Sequence, residues 1–265
     1  MGSKIERAWQ YGRDLTAIAG TDVLLTSYPK SGNTWVKFLF FNYLQHYFGQ
    51  EVNADFEKVN QAFPEIGLNQ IRNWQPPFPG VPRIIKTHLK NNRFTRKARA
   101  IHIVRNPYDV MVSYWYYLQA EKRVQYAHDF QYYLRDPKYG LQAWLTYTQS
   151  WMSQHPLVIF YEDLRIDTGT CLQQMLDFLP FECNKESVAY AVESSSMKAM
   201  QAMESKSQEQ HADRLSSSYK FVNDGGRKRW KDLAQAGDEQ LMASALMAYK
   251  DTNWHKIINK RYQWE

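Results

Sequence analysis

The sequence predicts one α/β domain over residues 1–265, with a central, mostly parallel sheet flanked by helices. Two observations lead to this fold class. Short, unbroken apolar runs, which are typical of parallel strands buried on both faces, alternate with longer helical stretches. The length of 265 residues suits a single domain with a large core.

The predicted elements follow in chain order. The strands are Val23–Thr26, Arg83–Thr87, Ala100–Val104 and Leu157–Tyr161. The helices are Thr34–Phe48, Pro107–Ala120, Leu141–Ser153, Thr170–Leu179 and about Asp238–Lys250. The stretch Ser194–Gly226 is polar and ends in two glycines, so we predict a mobile loop or lid there.

The charge balance and the two cysteines narrow the function classes. A net charge of +6 and a pI near 9.1 favour an anionic ligand, whereas the scattered basic residues do not predict a nucleic-acid partner. Cys171 and Cys183 lack zinc-ligand spacing, so we expect free thiols of a reducing compartment. With neither a secretory leader nor an apolar run of about 18 residues, we expect a cytoplasmic protein without a membrane span.

The loop after the first strand is the most informative functional signal. It reads Tyr28-Pro-Lys-Ser-Gly-Asn-Thr-Trp35 and leads straight into an apolar helix. A helix N-terminus offers unpaired N–H groups and the positive end of a dipole, which together attract anions. Lys30 adds a charge, Gly32 allows close backbone approach, and Trp35 offers a flat face for a base. Further donors come from Ser31, Asn33 and Thr34. The loop therefore predicts a site for a phosphate that carries a nucleobase.

A second strand end carries the segment Arg105-Asn-Pro-Tyr-Asp-Val-Met-Val-Ser113. Asn106 is a good N-cap, Pro107 suits the first helical position, and Asp109 is placed for a reciprocal cap. Ser113 lies about two turns along, on roughly the same helix face. An arginine fork and a hydroxyl suit a second phosphate. An arginine that caps the sheet edge, with a serine packed in the helix, is an equally good interpretation.

A third strand ends in Lys86-Thr-His88. The carboxyl ends of strands in an open α/β sheet line the ligand crevice, so we expect Lys86 and His88 beside the two loops. His88 is the candidate general base, although a lone histidine is more often structural. Two phosphate sites, an aromatic face and a base at one sheet edge favour a nucleotide with separated phosphates. The sequence contains no cluster of carboxylates that would predict a metal site.

These motifs resemble those of the cytosolic sulfotransferases, which use 3′-phosphoadenosine 5′-phosphosulfate (PAPS) and release 3′-phosphoadenosine 5′-phosphate (PAP). The family's Y-P-K-S-G-T-T-W loop corresponds to Tyr28–Trp35, and its K-T-H-L to Lys86–Leu89. Its R-N-P-x-D-x-x-x-S motif is intact from Arg105 to Ser113, and its Y-E-D-L lies at Tyr161–Leu164. The order and spacing of the four motifs also match, across residues 23 to 250.

The resemblance implies a function and a role for each matched residue. The protein would move the sulfuryl group of PAPS, without a metal, to the hydroxyl or amine of a small-molecule acceptor. His88 would take the acceptor proton, while Lys86 and Lys30 would stabilise charge in an in-line transfer. The implied nucleotide contacts are Lys30, Ser31, Gly32, Asn33 and Thr34 at the 5′-phosphosulfate, Trp35 and Met197 at adenine, Arg105 and Ser113 at the 3′-phosphate, and Tyr161 and Ser195.

The chain departs from the family pattern in its C-terminal part. The usual C-terminal Arg-Lys pair is missing; Gly225 is kept, and we expect Arg227 or Lys228 to reach the 3′-phosphate instead. Met197 replaces the phenylalanine that stacks on adenine, although a thioether can still pack on a ring. The family's dimer motif is not matched, so no oligomeric state is predicted.

Two other function classes stay open. A P-loop nucleotide or metabolite kinase would need G-x-x-x-x-G-K-S/T, whereas Lys30 precedes the only glycine of its loop. A non-catalytic nucleotide-binding module fits the basic charge, but no RNA-recognition signature occurs. The sequence does not name the acceptor. Candidate aromatic residues for its pocket, each of which also fits ordinary packing, are Trp74, Phe78, Tyr132 and Tyr133.

Overall fold

A four-stranded parallel sheet forms the centre of the computed structural model. The strands are β1 (Val23–Ser27), β2 (Ile84–Thr87), β3 (Arg99–Val104) and β4 (Leu157–Phe160), in the order β2-β1-β3-β4. The structure describes residues 4–50, 52–122, 124, 126–179, 181–207, 215–216, 228–247 and 252–262. All three strand pairs are parallel, which confirms the predicted α/β fold.

Helices flank this sheet throughout the described residues. They are α1 (Lys4–Thr16), α2 (Asn33–Tyr47), α3 (Phe56–Ala62), α4 (Pro107–Ala120), α5 (Phe130–Arg135), α6 (Leu141–Met152), α7 (Tyr161–Ile166), α8 (Thr168–Phe178), α9 (Lys185–Ser194), α10 (Met197–Ser207), α11 (Lys228–Leu233), α12 (Asp238–Met247) and α13 (Asn253–Tyr262). The sequence predicted that Tyr161 is the last residue of β4, but Tyr161 is the first residue of helix α7. Helices α1, α3, α5, α7, α9, α10, α11 and α13 were not predicted.

Two hydrophobic layers cover the two faces of the sheet. Leu24 packs into one layer, whereas its neighbours Val23 and Leu25 pack into the other, because successive side chains of a strand point to opposite faces. The first layer includes residues of α4, α6, α12 and α13, and the second includes residues of α2, α3, α8 and α9. Burial on both faces explains why the strands are unbroken apolar runs.

The structure corrects the prediction of a loop over Ser194–Gly226. Helix α10 occupies Met197–Ser207, and Ser195 before it is fully buried. Met200 and Met203 pack against the core at a helical spacing of three residues, which is the sequence signal that the loop prediction overlooked. Residues 208–214 and 217–227 lie outside the described residues, so the mobility of a lid stays a prediction.

Candidate active site

The loop before α2 turns sharply at two positions. Lys30 and Gly32 have positive φ angles of 69° and 102°. Successive turns of this kind can point several backbone N–H groups toward one anion. Gly32 is the N-cap of α2, and no side chain of the described residues caps this helix. Ser31 is buried, and its Oγ atom has no hydrogen-bond partner among the described residues. The loop thus keeps polar groups available for a ligand.

Tyr161 fixes both this loop and Arg105. A Cβ atom built on Gly32 would lie 2.6 Å from Cδ2 of Tyr161, so only glycine fits against the ring. The guanidinium carbon of Arg105 lies 4.5 Å from the centre of the same ring. The Trp35 ring meets it edge-on at 6.0 Å. Tyr161 therefore lies between the residues predicted to bind the two phosphates.

Arg105 is buried but only partly hydrogen-bonded. Its Nη1 donates to the carbonyl oxygen of Lys30 at 2.8 Å. Its Nε and Nη2 atoms are buried and have no partner among the described residues. A buried guanidinium with unpaired donors is costly unless an anion accepts from them. This geometry joins the two loops and leaves donors for a ligand.

The reciprocal cap predicted for Asp109 is wrong. The Asn106 side chain accepts from the Tyr108 backbone N–H at 3.0 Å, as expected of an N-cap. The N–H of Asn106 itself donates to the Glu162 carboxylate at 2.9 Å and not to Asp109. A carboxylate 56 positions along the chain replaces the local one, because β3 and β4 end side by side.

The His88 ring is held in one orientation by the end of β1. Its Nδ1 atom lies 2.7 Å from the carbonyl oxygen of Ser27. A carbonyl can only accept, so the proton is on Nδ1 and Nε2 carries the lone pair. Burial lowers the pKa of His88 to about 4, and the charge of Lys86 adds to this effect. The ring is therefore neutral at neutral pH.

Lys86 has a partner that the sequence did not reveal. Its ammonium group lies 2.7 Å from the carboxylate of Glu65. Burial would raise the pKa of Glu65, but the charge of Lys86 holds it below its usual value. Lys37 lies nearby on α2; burial and the charge of Lys86 lower its pKa to about 7, and it donates to Asn60. The negative charge of Glu65 thus partly neutralises Lys86 and Lys37 beside His88.

The side chain of Lys30 extends from the loop before α2 toward α4. Its ammonium group is 5.3 Å from the ring centre of Tyr117. Burial lowers the pKa of Lys30 to about 7, and Arg105 acts in the same direction. Glu204 of α10, which is also buried, acts in the opposite direction. Helix α10 therefore lies close enough to Lys30 for Glu204 to act on its charge.

Two other predicted residues, Asn33 and Ser195, have hydrogen-bond partners within the protein. The amide of Asn33 donates to the Leu25 carbonyl and the Ser27 hydroxyl, so its side chain anchors the loop to β1. The Ser195 hydroxyl accepts from Asn42 at 2.9 Å. The Ser195 carbonyl accepts from the Trp35 indole at 2.8 Å, which places the start of α10 against Trp35. Half-buried positions are found for Thr34, Ser113 and Met197.

Three predicted contacts are not described in full. Gly225 and Arg227 lie outside the described residues, and Lys228 is the first residue of α11. Of the acceptor-pocket candidates, Phe78 and Tyr133 are buried in the core, whereas Tyr132 is more than half exposed. The sequence did not identify Glu65, Glu162 and Glu204, which contact or act on the predicted site residues.

Comparison with known proteins identifies the family. A family model described as the sulfotransferase domain matches residues 20–241. The chain belongs to the sulfotransferase family. It is 27% identical over 188 residues to mouse sulfotransferase 4A1, with 65% of this chain and 64% of that protein covered. It is 29% identical over 202 residues to bovine sulfotransferase 1A1, with 68% of this chain and 65% of that protein covered.

A solved structure supports the fold. The crystal structure of mouse sulfotransferase SULT7A1 complexed with PAP superposes with a TM-score of 0.70 at 19% identity, covering 99% of this chain and 95% of that one. The chain spans slightly less than two thirds of the length of the curated relatives named above. In the part that the structure describes, no helix is long and apolar enough to cross a membrane.

Proposed function

We propose that this protein is a PAPS-dependent sulfotransferase that sulfates the hydroxyl or amine of a small molecule. One observation carries the proposal: two loops at the same sheet edge keep buried polar atoms that have no partner among the described residues. These are Oγ of Ser31 and Nε and Nη2 of Arg105, joined through the Arg105–Lys30 hydrogen bond. Such groups fit a nucleotide with two separated phosphates. Membership of the sulfotransferase family supports the same donor.

Each loop would hold one end of the donor nucleotide. The N–H groups at the start of α2, together with Lys30 and Ser31, would bind the 5′-phosphosulfate. Arg105 would bind the 3′-phosphate with the guanidinium donors that have no partner among the described residues, together with Ser113 of α4, the helix that follows Arg105. Trp35 would stack on adenine, held in orientation by its bond to the Ser195 carbonyl. The donor supplies the sulfuryl group; the loops fix its position.

His88 would act as the general base. Its Nε2 lone pair would accept the proton of the acceptor hydroxyl as that oxygen attacks sulfur. The bond from sulfur to the bridging phosphate oxygen would break in the same step, and PAP would leave. The bond from Nδ1 to Ser27 fixes the ring, and the lowered pKa keeps it unprotonated at neutral pH. Lys30 and Lys86 would stabilise negative charge on the transferring and leaving groups, which requires no proton transfer from them.

The acceptor would lie against an aromatic wall. Tyr114 and Tyr117 of α4 are half-buried and stack at 6.1 Å, and the Tyr117 ring faces the Lys30 ammonium group. Flat aromatic surfaces favour small apolar or aromatic acceptors over long anionic polymers. We therefore propose phenols, alcohols or aryl amines as acceptors.

The test is an acceptor screen with PAPS, read by mass spectrometry as the gain of one sulfuryl group, in the presence of EDTA. We expect turnover without added metal. His88→Asn should lower kcat by about 10²–10⁴, because general-base catalysis typically contributes that much. Its affinity for PAP should stay close to that of the unmodified protein. The control is His128→Asn, which changes an exposed histidine and should leave kcat unchanged.

Three results would contradict the proposal in different ways. PAP binding without sulfation of any acceptor would favour a non-catalytic nucleotide-binding module. Phosphate transfer from ATP with Mg²⁺ would favour the kinase. A His88→Asn variant that keeps most of its kcat would remove His88 as the base but would leave the donor assignment intact.

A further inference from the structure

The carboxylate of Glu162 connects the C-terminal helix to the turn that follows Arg105. One carboxylate oxygen accepts the backbone N–H of Asn106 at 2.9 Å. The other accepts the hydroxyl of Tyr262 at 2.7 Å. Tyr262 is 9% exposed, and burial together with Glu162 raises its pKa well above the usual value, so the phenol stays a donor. Both oxygens are therefore committed to buried or half-buried donors.

This link acts on the residue next to Arg105. Asn106 is held on its backbone side by Glu162 and caps α4 with its side chain. The peptide group between Arg105 and Asn106 thus has little freedom to rotate. Since the guanidinium must reach an anion from a buried stem, a small rotation of that peptide would move its donors by a large part of a hydrogen-bond length.

Helix α13 has a second anchor that does not touch this turn. Arg261 pairs with Asp163, and its guanidinium lies 5.8 Å from the ring of Phe160. The pair is partly exposed, with side-chain exposures of 31% and 46%, and ion pairs of this kind contribute little. Arg261 and Tyr262 are adjacent, so the two anchors can be removed one at a time on the same helix.

We propose that Glu162 and Tyr262 are positioning residues for Arg105, so that helix α13 sets the preference of the site for a 3′-phosphate. This proposal rests on the proposed function. The phenol fixes the carboxylate, the carboxylate fixes the Asn106 peptide, and the peptide fixes the guanidinium. Glu162 is 56 positions from Asn106 and 100 positions from Tyr262 in the chain, and the three residues meet where β3 and β4 end.

The experiment compares Tyr262→Phe with Arg261→Ala by calorimetric titration of PAP and AMP, which differ only in the 3′-phosphate. Tyr262→Phe removes one hydroxyl and keeps the ring that packs on Phe160. We expect its preference for PAP over AMP to fall by about fivefold, the worth of one hydrogen bond, with AMP affinity unchanged. Arg261→Ala should keep the preference of the unmodified protein.

Glu162→Gln provides a second variant of the same link. In Glu162→Gln one carboxylate oxygen becomes an NH2 group that cannot accept, and the other oxygen loses its charge. At least one of the two bonds is therefore lost or reversed, and the preference for PAP should fall at least as far. If Tyr262→Phe and Glu162→Gln lower only the melting temperature and keep the PAP preference, the link is structural and the inference is wrong. If the unmodified protein does not prefer PAP over AMP, the proposed 3′-phosphate site itself fails, and this inference fails with it.

Discussion

The loops before α2 and α4 both enter a helix at the same edge of the sheet, but they treat the helix N-terminus in opposite ways. At α2 the N-cap is Gly32, and no described side chain caps the first turn. At α4 the side chain of Asn106 caps the first turn, and Glu162 takes the N–H of Asn106. The first loop therefore offers backbone donors, and the second offers the guanidinium of Arg105.

Two loops in the same structural position can therefore bind anions through different groups, backbone N–H groups in one case and a side chain in the other. Backbone donors bind any tetrahedral anion that fits the curve of the loop, so the positive φ angles of Lys30 and Gly32 matter most there. A guanidinium binds through a side chain that must be oriented, so the surroundings of Arg105 matter most at the second site. Substitutions in the two loops should differ accordingly.

The largest effect is expected from Gly32→Ala. An alanine there would adopt a disfavoured φ of 102°, with Cβ 2.6 Å from the Tyr161 ring. Strain and overpacking together should lower the free energy of unfolding by about 2–4 kcal/mol and abolish nucleotide binding. Denaturant unfolding and titration with PAP measure the two effects.

The matched control is Gly49→Ala. Gly49 has a φ of 63°, and a Cβ atom there would have no neighbour within 4 Å. It should cost only about 1 kcal/mol, the penalty of the left-handed backbone, and should leave PAP affinity intact. Equal losses for both variants would mean that the contact with Tyr161 is unimportant.

The second expected effect is a dependence of binding on pH at Lys30. Burial and Arg105 lower the pKa of Lys30 to about 7, so Lys30 loses its proton above that pH in the free protein. An anion binds the protonated form, so PAP affinity should fall by up to about tenfold per pH unit between pH 7.5 and 9. Phosphate ionisation is complete in this range, with a second pKa of about 6.

Titration of PAP in two buffers of different ionisation enthalpy measures the proton uptake directly. The unmodified protein should take up close to one proton at pH 8.5. Lys30→Arg keeps its charge at this pH and should take up almost none. The same uptake in both proteins would assign the proton to another group.

A smaller effect is expected from Asn106→Ala. Loss of the N-cap should lower the free energy of unfolding by about 1 kcal/mol. Asp129→Ala removes a comparable cap from α5, where the carboxylate accepts from the Tyr132 N–H at 2.7 Å, and should cost about the same. Only Asn106→Ala should also weaken PAP, because only that cap adjoins Arg105. A loss of PAP affinity in both variants would point to global destabilisation.

The sequence predicted the sheet and the local features of both loops. The predicted strands Val23–Thr26 and Ala100–Val104 match β1 and β3 to within one residue. The N-cap of α4 lies next to Arg105 in the same motif, so short-range patterns were sufficient for both features. It did not predict pairs that form over long separations. Glu162 replaces Asp109 at the cap, and Glu65 pairs with Lys86, because neighbouring strand ends bring them together.

The sequence also did not predict the direction in which individual side chains point. The amide of Asn33 suggested a ligand donor, but the start of α2 points it back at the Leu25 carbonyl. Helix α10 was not predicted because its only large apolar residues are three methionines, which lie among polar residues and alanines. This is a weak helical pattern.

The most direct test of the central difference between the loops is a nucleotide panel on the Arg105→Ala variant. PAP, AMP and 3′-AMP separate the contributions of the two phosphates by calorimetric titration. Arg105→Ala should weaken PAP and 3′-AMP by about 10- to 100-fold, as expected for charge-assisted hydrogen bonds, and should leave AMP within about twofold. If AMP is weakened as much as PAP, the bond from Arg105 to the Lys30 carbonyl supports the first loop, and the two loops do not bind their phosphates by separate means.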